Sequence, residues 1–324
     1  MSTAPLVPLG RPLPADTPPL PRLIAAAGPQ ATKRYWEFLA ATIRNPNTRA
    51  AYARALAQFS RWCERRHLHL EAVSPIAVAA YVEQLGSRCA PPTVKQHLAA
   101  IRTLFDWLVT GQVLTASPAS SVKGPRYSLK RGKTPVLTAG QARHLLDSID
   151  TGTIAGLRDR ALLAVMVYSF ARVSAVTRLL VDDYYQNGKR WWVRLHEKGG
   201  TEHAVPCHHN AEAYVDAYLA AAGIGHLGRS PLFRALDVRR HLSVRPMHRN
   251  DVLRMIKRRA KRADLPASTC CHTFRATGIT AYLESGGTIE KAQQIANHES
   301  PRTTKLYDRT DDTITLDEIE RIGI

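Results

Sequence analysis

Apolar residues recur at helical spacing along most of this chain, and the pattern breaks between residues 181 and 207. There the segments 181–185, 191–196 and 203–207 read as three short strands. Asn187-Gly188 and Gly199-Gly200 lie between them, and such pairs supply the positive φ angles of tight hairpin turns. The pattern predicts a mainly α protein that carries one small three-stranded sheet. At 324 residues, two domains are expected.

Residues 30–116 read as a helical bundle. Tyr52, Ala55, Leu56, Phe59, Trp62 and Cys63 share a helical spacing, with Arg49, Arg54, Arg61 and Arg65 elsewhere around that helix. Asn47 is the expected N-cap. Ser74-Pro75 opens a shorter helix through Leu85, with proline at its first position. Val94, Leu98, Ile101, Phe105 and Leu108 form a further stripe, and Gly111 follows near its end. Four or five helices are expected here.

Ahead of the bundle, residues 1–29 hold eight of the twenty prolines and three charges, and read as an extended arm. Behind it, residues 117–135 read as a linker. Its Lys123, Arg126, Lys130, Arg131 and Lys133 face no acid in the segment, which suits contact with a phosphate backbone. Residues 136–310 form the larger domain. Thr138-Ala139-Gly140-Gln141 matches a capping box, and residues 157–170 form a strongly apolar helix. Eleven basic and two acidic residues fall between Ser230 and Arg262, including a basic helix over 250–263. The tail, 311–324, has five acids, one arginine, and Ile314, Leu316, Ile319 and Ile322 as apolar positions.

The charge balance narrows the function. Forty-five Lys+Arg stand against 27 Asp+Glu, a net of +18, which suits a polyanionic partner and above all nucleic acid. The longest apolar run, residues 161–168, falls short of the ~20 residues a membrane helix needs. No secretory signal is recognisable at the N-terminus. Five cysteines, an odd count, suit reduced thiols in a cytosol.

Four short segments hold polar residues in unusual settings. Arg172 follows the buried helix. Lys198 sits in a Glu-Lys-Gly-Gly-Thr turn between two strands. His272 and Arg275 are three residues apart, so on a helix they share a face. His298 ends a helix ahead of a Ser-Pro turn, and a second helix presents Tyr307. Each segment alone has an ordinary structural explanation.

Together, in this order, Arg172, Lys198, His272-x-x-Arg275, His298 and Tyr307 resemble the tyrosine recombinases of the phage integrase family, Xer-like members included. The resemblance runs from about residue 30 to the C-terminus. It implies a helical core-binding domain, with its Asn-Thr-Arg-Ala-Tyr start, and a catalytic domain, closing together around duplex DNA. It implies Tyr307 as the nucleophile that forms a 3′-phosphotyrosyl bond, and Arg172 and Arg275 as a clamp on the phosphate oxygens. It gives Lys198 the proton for the leaving 5′-oxygen, His272 the role of base or hydrogen-bond partner, and His298 that of orienting the phosphate or supporting Tyr307. The family often has an acid three places after the first arginine. Here that place is Ala175, and Asp182 or Asp183 is the expected substitute.

The resemblance also implies partners: duplex DNA with specific sites, four protomers on paired sites, and accessory DNA-bending proteins. It implies no cofactor, no metal, a cytoplasmic location, and a role in integration, excision or resolution, as on a mobile element. Arg49, Lys95, Lys130, Arg131, Lys133, Arg254, Lys257 and Arg258 are the expected DNA contacts. The tail would dock in cis or on a neighbouring protomer. A type IB topoisomerase uses similar arginines and a tyrosine, but the separate bundle favours a recombinase. An inactive DNA-binding regulator would share the charge, but need not keep Tyr307 and both arginines. Cys207-His208-His209 and Cys270-Cys271-His272 offer soft metal ligands, yet their spacings match no zinc ribbon or finger, and His208 and His209 read as surface loop residues.

Overall fold

The computed structural model describes residues 20–128, 132–197 and 200–308, together with Glu320. The chain divides into two compact units, Met1–Ser128 and Leu129–Ile324.

The first unit is a helical bundle of α1 (Arg22–Ala25), α2 (Gly28–Glu37), α3 (Pro46–Glu64), α4 (Pro75–Gly86) and α5 (Pro91–Thr110), with a π-helical turn at Phe38–Thr42. Asn45, not Asn47, caps α3: its side chain accepts the N–H groups of Asn47 and Thr48. Pro46 explains the difference. Its fixed φ and missing N–H suit the first helical position, which moves the cap one residue ahead of it. Ser74 caps α4 as read from the sequence. Phe59 sits edge-on to Tyr81 and Phe105, at 5.0 and 6.2 Å, in the middle of the core.

Two stretches read as irregular belong to this core. The end of the expected arm forms α1, where Leu23 and Ile24 are buried and the Leu23 N–H donates to Ser60 Oγ at 3.0 Å. The first part of the expected linker packs back onto the bundle through Ala119 and Val122. Arg102 Nε donates to the Ala119 carbonyl at 3.2 Å. In both stretches a pair of apolar residues was outvoted by surrounding proline and serine, though two buried side chains suffice to anchor a short segment. The rest of the expected arm, residues 1–19, lies outside the described residues, as do Lys130 and Arg131.

The second unit opens with α6 (Ala139–Asp147), capped by the Thr138/Gln141 box. Then come α7 (Ile154–Tyr168) and the single turn α8 (Val173–Val176). The sheet follows as β1 (Tyr184–Asn187), β2 (Arg190–His196) and β3 (Glu202–Pro206), an antiparallel meander in the order β1-β2-β3. Val193 lies opposite Tyr184 on one side and Val205 on the other. The first strand begins later than expected because Val181–Asp183 turns as a 3-10 helix, with Asp183 accepting the Leu180 N–H.

After α9 (His209–Ala222), a hairpin of β4 (Arg234–Leu236) and β5 (Leu242–Pro246) appears in a region read as helical. Its strands are short, and its turn is held by Asp237 accepting the His241 N–H rather than by an Asn-Gly pair. Then follow α10 (Arg249–Arg262), α11 (Cys271–Glu284), α12 (Ile289–Ala296) and α13 (Pro301–Lys305).

Helix α7 is the axis of this unit. Ala161 through Met166 are all buried, and α9 and α11 pack against it. Gly278 makes the close approach of α11 possible. A Cβ there would stand 2.1 Å from the Val167 carbonyl and 2.7 Å from the Phe170 ring. The end of α7 is thereby pressed onto the face of α11 that carries Arg275. The tail positions 311–319 and 321–324 lie outside the described residues.

Candidate active site

The site forms where the chain leaves α7. Phe170 adopts a left-handed φ of 52°, an unusual conformation for a bulky residue, and the chain turns so that Arg172 becomes the N-cap residue of α8. The Arg172 guanidinium is partly exposed. Its Nη1 donates to Glu197 Oε2 at 2.7 Å, and that carboxylate is 3% exposed.

Arg275 stands on α11 one turn after His272 and is 1% exposed. Its Nη1 donates to the Phe170 carbonyl, and its Nη2 to the Ala296 carbonyl at 2.6 Å. Its Nε is buried without a partner. Peptide carbonyls hold the guanidinium in place without cancelling its charge. Burial, and then the neighbouring Arg172, push the Arg275 pKa down to about 10, so it remains a cation near neutrality.

Tyr307 follows α13 and is 6% exposed. Its Oη lies 2.6 Å from His272 Nε2. The His298 ring is parallel to the phenol ring within 6°, at 5.8 Å, and its Nδ1 lies 2.9 Å from Thr304 Oγ1. Asn297, at a left-handed φ of 46°, ends α12 and aims His298 inward. The Tyr307 backbone is pinned on both sides. Its carbonyl accepts Thr280 Oγ1 at 2.9 Å, and the Leu306 carbonyl accepts the Gly132 N–H at 2.9 Å.

Burial sets the protonation states. It lowers the pKa of His272, helped by Arg275 and Arg172. The same causes, with His272 added, bring His298 down to about 3. Both imidazoles are therefore neutral near pH 7 and able to accept a proton. Burial raises the Tyr307 pKa by more than the two arginines lower it. The positive field alone does not ionise the phenol, which keeps its proton until a base takes it.

The phage integrase family model matches residues 135–313, and the model of the phage integrase N-terminal SAM-like domain matches residues 32–112. The chain belongs to the phage integrase family. Tyrosine recombinase XerC of Myxococcus xanthus is 28% identical over 284 residues, covering 86% of this chain and 90% of that protein. Tyrosine recombinase XerD of Listeria monocytogenes is 26% identical over 266 residues, covering 81% and 87%. In fold, the chain is similar to the XerH site-specific recombinase bound to its difH substrate (TM-score 0.66, 15% identity, covering 96% and 97% of the two chains). It is equally similar to a lambda integrase dimer bound to a core site (TM-score 0.66, 18% identity, covering 88% and 97%).

In this integrase-family chain, five of the six expected catalytic residues, Arg172, His272, Arg275, His298 and Tyr307, are gathered at one place; Lys198 lies outside the described residues. Neither Asp182 nor Asp183 partners Arg172. Asp183 faces His196 at 3.0 Å and Arg194 at 3.7 Å, both on β2, while Glu197 at the end of that strand takes the arginine. Ala175 is fully buried on α8. The sequence reading missed Glu197 and Thr280. Glu197 was visible beside Lys198, but nothing local marks a strand-end acid as turned inward.

The expected DNA contacts divide by what already holds them. Lys95, Lys133 and Arg258 are exposed. Arg254 is exposed beside Asp251, and Lys257 donates to the Ala267 carbonyl. Arg49 is half-buried and spends Nε and Nη2 on the Ile43 carbonyl, at 3.1 and 2.8 Å. His208 is not a loop residue. It caps α9 by accepting the Asn210 N–H and stacks on Tyr168 at 4.0 Å. Among the described residues, no group of three or more His, Cys, Asp or Glu side chains is placed to hold a metal ion.

Proposed function

We propose that this chain is a site-specific DNA recombinase that breaks and rejoins strands through a covalent link between Tyr307 and a 3′-phosphate. The observation that carries this reading is the 2.6 Å contact between the Tyr307 hydroxyl and a neutral His272, beside two guanidiniums. A buried phenol needs a base to become a nucleophile, and this one touches one.

In the forward step, Tyr307 Oη attacks phosphorus while its proton passes to His272 Nε2. The bond from phosphorus to the 5′-oxygen breaks, and that oxygen takes a proton, the role the family resemblance gives to Lys198. Arg172 and Arg275 bind the non-bridging oxygens, where negative charge builds in the pentacoordinate state. His298, parallel to the phenol ring, holds its plane. In the return step a 5′-hydroxyl from another strand attacks the phosphotyrosine and gives its proton back to the group that protonated the leaving 5′-oxygen, while Tyr307 leaves with a proton from His272. One ester forms for each that breaks, so no ATP is consumed.

The partners that follow are duplex DNA and three further copies of the chain on paired sites. A lambda integrase tetramer bound to a Holliday junction, similar in fold (TM-score 0.66, 17% identity, covering 87% and 78%), supports that assembly. Accessory DNA-bending proteins would bias the direction, and the chain would act in the cytoplasm. No described helix is long and apolar enough to cross a membrane.

The test uses nicked duplexes tiled across the DNA flanking this gene, in which the cut strand cannot be resealed. Wild-type protein should give a covalent adduct on denaturing gels, and Tyr307→Phe should give none. An undiminished adduct from Tyr307→Phe would remove Tyr307 as the nucleophile. Tight binding along the tiled set with no adduct anywhere would identify an inactive DNA-binding protein instead.

A further inference from the structure

We propose that Glu197 is the positioning residue for Arg172, holding that guanidinium ready for the phosphate; this rests on reading Arg172 as part of the phosphate clamp. Arg172 needs such a partner. It lies outside the helices proper, at a cap position, and its side chain is 36% exposed. Among the described residues its guanidinium makes a single hydrogen bond, from Nη1 to Glu197 Oε2. A single-point contact fixes direction while leaving the other N–H groups for an incoming oxygen.

Glu197 is built for the task from the opposite side. It follows β2, and its backbone N–H donates to the Thr201 carbonyl at 2.8 Å, just ahead of β3. The sheet therefore sets the carboxylate in place. Among the described residues its Oε1 is buried without a hydrogen-bond partner, and the ion pair with Arg172 is the direct contact that stabilises this charge in the interior. Removing either member leaves the other poorly satisfied.

The charge has a second use. Arg172 lies close enough to disfavour the charge on Arg275, and Glu197 acts on Arg275 in the opposite sense. A carboxylate beside the pair lets two cations wait side by side before DNA arrives. The phosphate then brings its own negative charge between them. Glu197 is also the sequence neighbour of Lys198, the proposed proton donor.

The experiment measures single-turnover cleavage on a nicked duplex that gives a Tyr307-dependent adduct. Two versions of the duplex are compared, one with a normal scissile phosphate and one with a methylphosphonate there. The methylphosphonate lacks one non-bridging charge, so its cleavage leans less on guanidinium. On the normal phosphate, Glu197→Ala should slow cleavage about 100-fold and Glu197→Gln about 10-fold, the scale expected when a catalytic group is misplaced by about 1 Å. Both defects should shrink on the methylphosphonate, as should that of Arg172→Ala. Adding Glu197→Gln to Arg172→Ala should cost little more than Arg172→Ala alone. Glu197→Gln preserves size, and circular dichroism checks that it folds. Equal defects on both duplexes, full additivity with Arg172→Ala, or an unchanged rate for Glu197→Ala would overturn the role. If wild type gives no Tyr307-dependent adduct, the recombinase reading falls, and this role with it.

Discussion

Arg158 and Arg259 both end on the carboxylate of Asp159, whereas Arg275 ends on two peptide carbonyls. In the first cluster, Asp159 Oδ1 accepts from Arg158 at 2.7 Å and Oδ2 from Arg259 at 2.8 Å, which ties α7 to α10. In the second, the Phe170 and Ala296 carbonyls place Arg275 but leave its charge intact. Arg172 lies between these extremes, with one contact to one carboxylate. Both clusters belong to the same unit. In this pair of clusters, the charge of Arg158 and Arg259, cancelled by one shared carboxylate, serves the fold, and the charge of Arg275, held by two carbonyls, is left for a phosphate.

This difference can be broken most sharply at Asp159. Asp159→Ala would strand one buried guanidinium, Arg158, and one partly buried, Arg259, and should cost about 3–5 kcal/mol of stability. Urea or thermal unfolding measures that loss. The cleavage rate of the folded fraction should stay within about threefold of wild type. A large rate defect in folded Asp159→Ala would mean that this network also shapes the site.

The converse is Arg172→Ala. Cleavage should fall by about two to three orders of magnitude, the scale for removing one stabiliser of a developing charge. The melting temperature should drop less than for Asp159→Ala, because this change strands one carboxylate, Glu197, whereas Asp159→Ala strands two guanidiniums. If stability fell as far as for Asp159→Ala, the division between structural and functional arginine would fail.

The smallest expected effect is with pH. His272 and His298 are held below the ordinary value of 6.5, so as the pH falls the unfolded chain takes up protons before the folded one. Their cost to stability is absent above pH 6.5 and grows as the pH falls from there toward 3. For cleavage, His272 stays neutral below 6.5, which places the acid limb of the rate profile under that value. Tyr307 is raised above its ordinary 10.0, so no alkaline rise is expected short of pH 10. An acid limb centred above 6.5 would show that His272 is not the base that takes the Tyr307 proton.

Much of the fold was legible because its signals are local. The Thr138/Gln141 capping box, proline at the start of α4, and the strand alternation around Asn187-Gly188 each act within a few residues. Where reading failed, a local signal was weak or a distant one decided. Asn45 displaced Asn47 as a cap through the proline between them. The β4–β5 hairpin lacks a tight-turn pair. Leu23, Ile24, Ala119 and Val122 are buried only because a bundle is there to receive them.

The site divides the same way. The kinds of side chain, their order and their helical spacing were determined by the sequence itself, since His272 and Arg275 share a face of any helix they occupy. What tertiary structure alone decided is which charges meet. Glu197 rather than Asp183 reaches Arg172 across 25 residues of chain, and Asp159 takes Arg259 across 100. A charge's partner depends on where packed helices and strand register place it, and a buried charge finds its energy minimum among the groups that packing brings within hydrogen-bond reach.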